Sequence, residues 1–263
     1  MRRSEWVAFL YFVCLVIAAI RPMPRVRRLA LLASSTLAAA SVLAIAARAG
    51  AAVRDWAPLA YVFVGYYASG LLFVWPSERF EAWLIGWDRR WLGDPTTRFA
   101  RWPRWFVAYL DVVYMGCFLL LPMGFGALVF QGEQALADRY WTMVLGAELG
   151  SFVALAIVQT RPPWRLERQA ALPDGGVRRA ALRWVRHLTI GVNTFPSGHA
   201  AGSLAVALAV VGTLPATGAI LLVIAISIAL ACIVGRYHYV VDVLAGIGLA
   251  VGIFLVFLAM RAQ

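Results

Sequence analysis

Eight long apolar runs govern what this chain can fold into. They lie at roughly 6–20, 29–47, 56–75, 105–130, 139–160, 196–214, 217–235 and 238–260. Most approach the about 20 residues that carry an α-helix across a hydrocarbon core. Inside a bilayer every backbone N–H and C=O must be satisfied within the segment, so such runs specify helices. The charge content agrees. Of 263 residues, 62% are hydrophobic and 14% charged, against about 25% charged in an average soluble domain. The three cysteines, Cys14, Cys117 and Cys232, lie far apart in apolar runs, with neither a disulfide framework nor a metal-ligand spacing. The expectation is an all-α polytopic membrane helix bundle of about eight transmembrane helices.

The first run follows Met1-Arg2-Arg3 as the apolar part of a signal peptide would. Ile20-Arg21-Pro22 lacks the small-residue cleavage pattern, so the run reads as a membrane helix. Runs six and seven are divided by a tight turn punctuated by Pro215 and Gly218. Two connections have helical patterning of their own. In 77–92, Phe80, Trp83, Leu84, Trp87 and Trp91 recur at helical spacing with Glu78, Glu81, Asp88, Arg89 and Arg90 between them. Residues 177–188 repeat the pattern, with Arg178, Arg179, Arg183 and Arg186 beside Val177, Ala181, Trp184 and Leu188. Both read as amphipathic helices lying in the membrane interface. Residues 1–55 read as accessory helices and 56–263 as a six-helix catalytic domain.

The net charge of +11 comes wholly from arginine, since lysine is absent. The basic residues flank apolar spans and form no single stripe, which argues against a nucleic-acid partner. Genome composition is the plainer account of the missing lysines, and an anionic lipid or phosphate partner is the alternative, since guanidinium forks hold phosphate bidentately. With eight spans, 18 arginines fall in 21–28, 76–104, 161–195 and 236–237, and 6 on the opposite side with both termini. That excess predicts a cytoplasmic location for the first set, in the inner or plasma membrane of a bacterium.

Three polar clusters share that side: Thr160-Arg161-Pro162-Pro163, Asn193-Thr194-Phe195-Pro196-Ser197-Gly198-His199, and Arg236-Tyr237-His238-Tyr239-Val240-Val241-Asp242. Pro196 suits the first turn of a helix, with Asn193 or Thr194 as its cap. Ser197 and Gly198 then present N–H groups at a helix N-terminus, which is a ready anion site. His238 and Asp242 are four apart and share a helix face. A carboxylate placed so accepts from one imidazole nitrogen and leaves the other free to attack. Arg161 and Arg236 offer the forks that a phosphoryl group needs.

These clusters resemble the three motifs of the type-2 phosphatidic acid phosphatase superfamily: Lys-x6-Arg-Pro, Pro-Ser-Gly-His, and Ser-Arg-x5-His-x3-Asp. The resemblance covers roughly 105–260, and Pro196–His199 is its most specific match. It implies a phosphohistidine mechanism with His238 as nucleophile, Asp242 as its orienter and His199 as the acid to the leaving alcohol. Arg161, Ser197, Gly198 and Arg236 are implied to cradle the phosphate. The first motif's lysine falls at Ala154, and Arg165 is a candidate for its role. Arg236 stands two residues before His238 instead of six. That compact form is similar to the inositol phosphorylceramide and sphingomyelin synthase branch, so a lipid phosphatase and a head-group phosphotransferase both remain open.

No metal or other cofactor is expected, and the sequence does not indicate an oligomeric state. The expected partners are a phosphorylated lipid substrate and the surrounding membrane lipids. His187 reads as a solvated loop residue. Asp111 and Glu148 lie inside apolar runs, where a carboxylate is either functional or a helix-to-helix hydrogen-bonding group. Gly198, Ala201 and Gly202 form a small-residue pattern suited to close packing.

Overall fold

The computed structural model describes residues 1–166 and 175–260. Arg168 and Arg261, which enter the arginine count above, lie outside them. The described residues form helices and no strand, so the all-α expectation holds. The helices are α1 (Arg3–Ala18), α2 (Arg25–Arg48), α3 (Ala51–Gly70), α4 (Glu78–Leu92), α5 (Pro95–Ala100), α6 (Arg104–Met115) and α7 (Leu120–Phe130). They continue with α8 (Ala137–Val153), α9 (Pro163–Leu166), α10 (Gly176–Leu188), α11 (Gly198–Val211), α12 (Pro215–Val234) and α13 (Val240–Ala259).

Each apolar run is occupied by helix, and three or four of these helices meet the length and apolarity that a crossing needs. Among the described residues α2, α12 and α13 are each long and apolar enough to cross a membrane, and α6 with the Cys117–Phe130 segment joins them if that pair, bent by 49°, is one span. The remaining runs are shorter or more polar. α1 has 16 residues, and α8 has 17 with Asp138, Arg139 and Glu148 inside it. α11 has 14 residues, a length of about 21 Å at 1.5 Å per residue.

α11 lies inside the bundle. It packs against α7, α8, α12 and α13 and buries Ala200, Ala201, Gly202, Ser203, Ala205 and Val206 among them. Small side chains allow such close helix approach, and dispersion between well-fitted surfaces holds helices together in lipid. The turn into α12 is equally tight: a Cβ on Gly218 would stand 2.3 Å from Val211 Cα, so glycine is required there. α13 crosses α11 at Gly246, where a Cβ would meet the Ser197 carbonyl at 2.4 Å.

α1 joins this centre through α8. Ser4 donates from its backbone N–H and its hydroxyl to Asp138 (2.9 and 2.7 Å), and Arg54 of α3 forks onto Glu5 of α1 at 2.7 and 2.9 Å. At the other end of α3, Gln159 accepts from the Val74 and Trp75 N–H groups and donates to the Leu72 carbonyl at 2.8 Å. This tie sets where α4 begins.

α4 and α10 form where the sequence places amphipathic helices. Their charges, however, do not all face water. α4 buries Glu81, Leu84 and Asp88 at i, i+3 and i+7, while Trp83 and Trp91 are exposed on the other side. α10 turns Arg178 inward, where it binds Asp111 at 2.7 Å, the Tyr237 hydroxyl at 2.9 Å and the Gly235 carbonyl at 3.1 Å. Asp111 is thus a helix-to-helix partner.

Candidate active site

The three polar clusters meet at one end of the bundle. Backbone and hydroxyl pairing stitches the first to the second: Asn193 N–H donates to the Thr160 carbonyl at 2.9 Å, and the Thr160 and Thr194 hydroxyls lie 2.7 Å apart. The Trp164 N–H donates to the Arg236 carbonyl (3.0 Å), and the Ser197 N–H donates to the Asp242 carbonyl (2.9 Å). Asn193 and Arg236 both lie in the left-handed region, at φ 63° and 61°. Such a conformation costs a non-glycine residue energy and persists where its surroundings fix it; each of these residues lies a few positions before a histidine.

His199 and His238 come together as expected, with His238 Nε2 and His199 Nδ1 3.4 Å apart. His238 Nδ1 lies 2.9 Å from the Thr194 carbonyl oxygen. A carbonyl can only accept, so Nδ1 carries a proton, and in the neutral imidazole Nε2 then keeps its lone pair toward His199. Asp242 therefore does not make the imidazole hydrogen bond expected of it. Its Oδ2 is 3.7 Å from His238 Nδ1 and instead accepts the Tyr239 N–H at 2.9 Å. Asp242 is the third residue of α13, where a carboxylate caps the free N–H groups of the helix start.

Ser197 is also placed differently. It is the N-cap of α11, its hydroxyl accepting from Ala200 N–H at 3.3 Å, so Pro196 precedes the helix and Asn193 and Thr194 do not cap it. The serine side chain is fully buried. Gly198 and both histidines line a narrow cleft of about 40 Å³, together with the buried Tyr66, Tyr114, Glu148 and Phe152 and the half-buried Phe118, Trp164, Thr189 and Gly191. Tyr114 stacks on the His199 ring (centroids 5.0 Å apart) and on Tyr237 (3.9 Å), which fixes the plane of the imidazole.

Neither motif arginine lines that cleft among the described residues. Both are held by α4. Glu81 receives Arg161 through Nε, Nη2 (2.7 Å) and the backbone N–H (2.6 Å). Those hydrogen bonds hold the Arg161 guanidinium above its ordinary pKa. Asp88 lies 2.8 Å from Arg236 and accepts the Val240 N–H at 2.9 Å. Burial pushes the Asp88 carboxyl up, while Arg236 pulls it down. Arg165 is exposed, lies over the Trp164 ring at 5.5 Å, and would come within 3.5 Å of a Cβ on Gly191 in the cleft lining.

No local pattern marked Thr194 as the acceptor for His238 or Tyr114 as the stacking partner of His199. Glu81 and Asp88 were visible only as polar positions of an amphipathic helix. No cluster of three or more potential metal ligands occurs among the described residues. Residues 135–263 match the family model described as the PAP2 superfamily, a stretch that contains all three clusters. No curated protein and no solved structure matches the chain.

Proposed function

The chain belongs to the PAP2 superfamily, and from that premise we propose that it is a membrane-embedded lipid phosphate phosphatase working through a phosphohistidine on His238. Membership supports an enzyme acting on lipid phosphates as a phosphatase or a related phosphotransferase. The observation that carries the finer reading is the pair of imidazoles sharing one cleft, with His238 Nδ1 against the Thr194 carbonyl and Nε2 facing His199.

In this mechanism His238 Nε2 attacks phosphorus, and the bond from phosphorus to the lipid oxygen breaks as that oxygen takes a proton from His199. Water then attacks the phosphohistidine, giving its proton back to His199 and releasing phosphate. The Gly198 N–H at the α11 start favours the anionic phosphoryl oxygens, and Arg165 draws the head group to the mouth. Arg161 and Arg236 act from behind, by holding the 161–165 and 236–238 turns on α4. The cleft faces the cytoplasm in this reading, with eight helical passes and both termini outside.

The short spacing of Arg236 and His238 favours a second reading, in which a lipid alcohol instead of water resolves the intermediate. Brief incubation of the protein with a ³²P-labelled lipid phosphate tests both. We expect an acid-labile, base-stable label on wild type, its absence from His238→Ala, and release of free phosphate. Label transfer to an added lipid alcohol in place of phosphate release would select the phosphotransferase. An unlabelled wild type that still turns over, or a labelled His238→Ala, would overturn the phosphohistidine.

A further inference from the structure

Glu148 of α8 is the single formally charged side chain lining the histidine cleft among the described residues. It is 3% exposed, and no described residue donates a hydrogen bond to its carboxyl. The carboxyl fills a notch that α11 leaves by carrying glycine at two successive turns. A Cβ on Gly202 would stand 1.8 Å from Glu148 Oε1, and one on Gly198 would stand 3.2 Å from Oε2. The carboxyl thus lies beside the turn that bears His199. Aromatic rings surround the same space: Tyr66 is 5.5 Å from Phe152 and 5.8 Å from Phe118, and Phe118 is 5.4 Å from His199.

A bare phosphate group complements this floor poorly. The Glu148 carboxyl, once ionised, repels it, and Arg161 and Arg236 are turned to Glu81 and Asp88. What does complement it is a cation. Ring faces and a carboxylate together make the environment that attracts alkylammonium groups, and a buried carboxyl without a partner stays protonated until a positive charge joins it and stabilises the carboxylate. We propose that the cleft takes a lipid phosphate bearing an ammonium group a few bonds from phosphorus. The ammonium sits on Glu148 among Tyr66, Phe118 and Phe152, and the phosphorus sits between His199 and His238.

This rests on the reading of His238 as nucleophile. Two lipid sources share the chemistry: an amino-alcohol lipid phosphomonoester, whose ammonium leaves with the lipid, and a phosphodiester with an aminoalkyl head group, whose ammonium stays with phosphorus. In both, the bond from Nε2 to phosphorus forms as the lipid oxygen departs with the His199 proton. Water then forms its bond to phosphorus as the bond to nitrogen breaks.

Two matched substrate pairs test it, with the full-length protein in maltoside micelles. Sphingosine 1-phosphate is compared with ceramide 1-phosphate, where N-acylation removes the ammonium. Phosphatidylethanolamine is compared with phosphatidylethanol, a diester without it. Turnover and equilibrium binding are both measured. Wild type should favour the ammonium member of one pair by about tenfold or more in kcat/KM and in affinity, and the pair that shows the preference identifies the source. Glu148→Gln should bring that ratio near one, with Glu148→Asp keeping part of it. Equal handling of both pairs by wild type, or an undiminished ratio in Glu148→Gln, overturns the inference. The wild-type comparison stands even where the variant fails to fold. Ammonium-selective binding with no turnover of any lipid would sink the phosphohistidine reading and leave the cation site standing.

Discussion

His238 owes its tautomer to a backbone carbonyl, that of Thr194, and this changes what Asp242 is expected to do. In a histidine oriented by a carboxylate, replacing that carboxylate with its amide costs orders of magnitude because the tautomer is lost. Here Thr194 holds the Nδ1 proton at 2.9 Å, and Asp242 at 3.7 Å contributes charge to the imidazolium and a cap to α13. We expect Asp242→Asn to lower kcat by about ten- to a hundredfold, less than the loss in a carboxylate-held histidine, with little change in thermal stability. The amide oxygen can still accept the Tyr239 N–H. Asp242→Ala removes the cap as well and should cost about 1 kcal/mol more in unfolding free energy. Comparing kcat and Tm for the two variants separates the roles. A loss in Asp242→Asn as complete as that in His238→Ala would return the orienting role to the carboxylate.

Among the elements, α13 and α4 decide how well the site is held. Gly246 meets the Ser197 carbonyl so closely that an added Cβ would stand 2.4 Å from it, against backbone that cannot rotate away. Gly246→Ala should therefore push α13 from α11, disturb the Ser197–Asp242 hydrogen bond, and lower both Tm and activity. Gly248→Ala, on the same helix with nothing within 4 Å, should be neutral or stabilising by about 0.5–1 kcal/mol, since alanine is the better helix former. Equal Tm values for the two would show that the crossing tolerates separation.

α4 offers a second test. Its Asp88 and Arg236 are both nearly enclosed, and removing one member of such a pair typically costs about 3–5 kcal/mol. Asp88→Ala should lose about that much. The Asp88→Ala/Arg236→Met double variant should be more stable than Asp88→Ala alone, because the buried charge goes with its partner. Additive losses in chemical unfolding would argue against the pair.

For the molecule as a whole, orientation in the membrane follows from where the arginines collect. The end that holds the three clusters carries Arg161, Arg165 and Arg236, together with the arginines of α4 and α10. Even with the carboxylate-bound Arg161, Arg178 and Arg236 set aside, 15 arginines oppose 6, and carboxylates contribute little to this rule. We therefore expect the cleft to face the cytoplasm. Single cysteines at Gly175 and Gln263, in a protein lacking the native three, provide the measurement. An impermeant thiol reagent on intact cells should label position 263 and spare 175. The reverse pattern would turn the molecule over.

Much of this molecule is legible from local sequence. Run length and helical periodicity identified the segments: α4 spans 78–92 where the pattern read 77–92, and α10 spans 176–188 against 177–188. The spacing of polar residues at span ends also brought His199, His238 and Asp242 to one side, because a helix that must satisfy its own backbone in lipid leaves the chain few choices of topology. Two local expectations did not hold. Pro196 lies ahead of α11 because the Ser197 hydroxyl takes the cap, and α11 ends short of its run because the chain turns at Gly212 toward α12, which starts at Pro215. The partners of the charged groups were not legible at all. Glu81 meets Arg161 across 80 residues of sequence, and Asp88 lies against an arginine at 236. Glu148 fits a notch that exists only once α8 lies on α11. Periodicity fixes which face of a helix is polar; which distant polar face it meets is settled by packing, since a charge leaves water only where the folded chain supplies its counterpart.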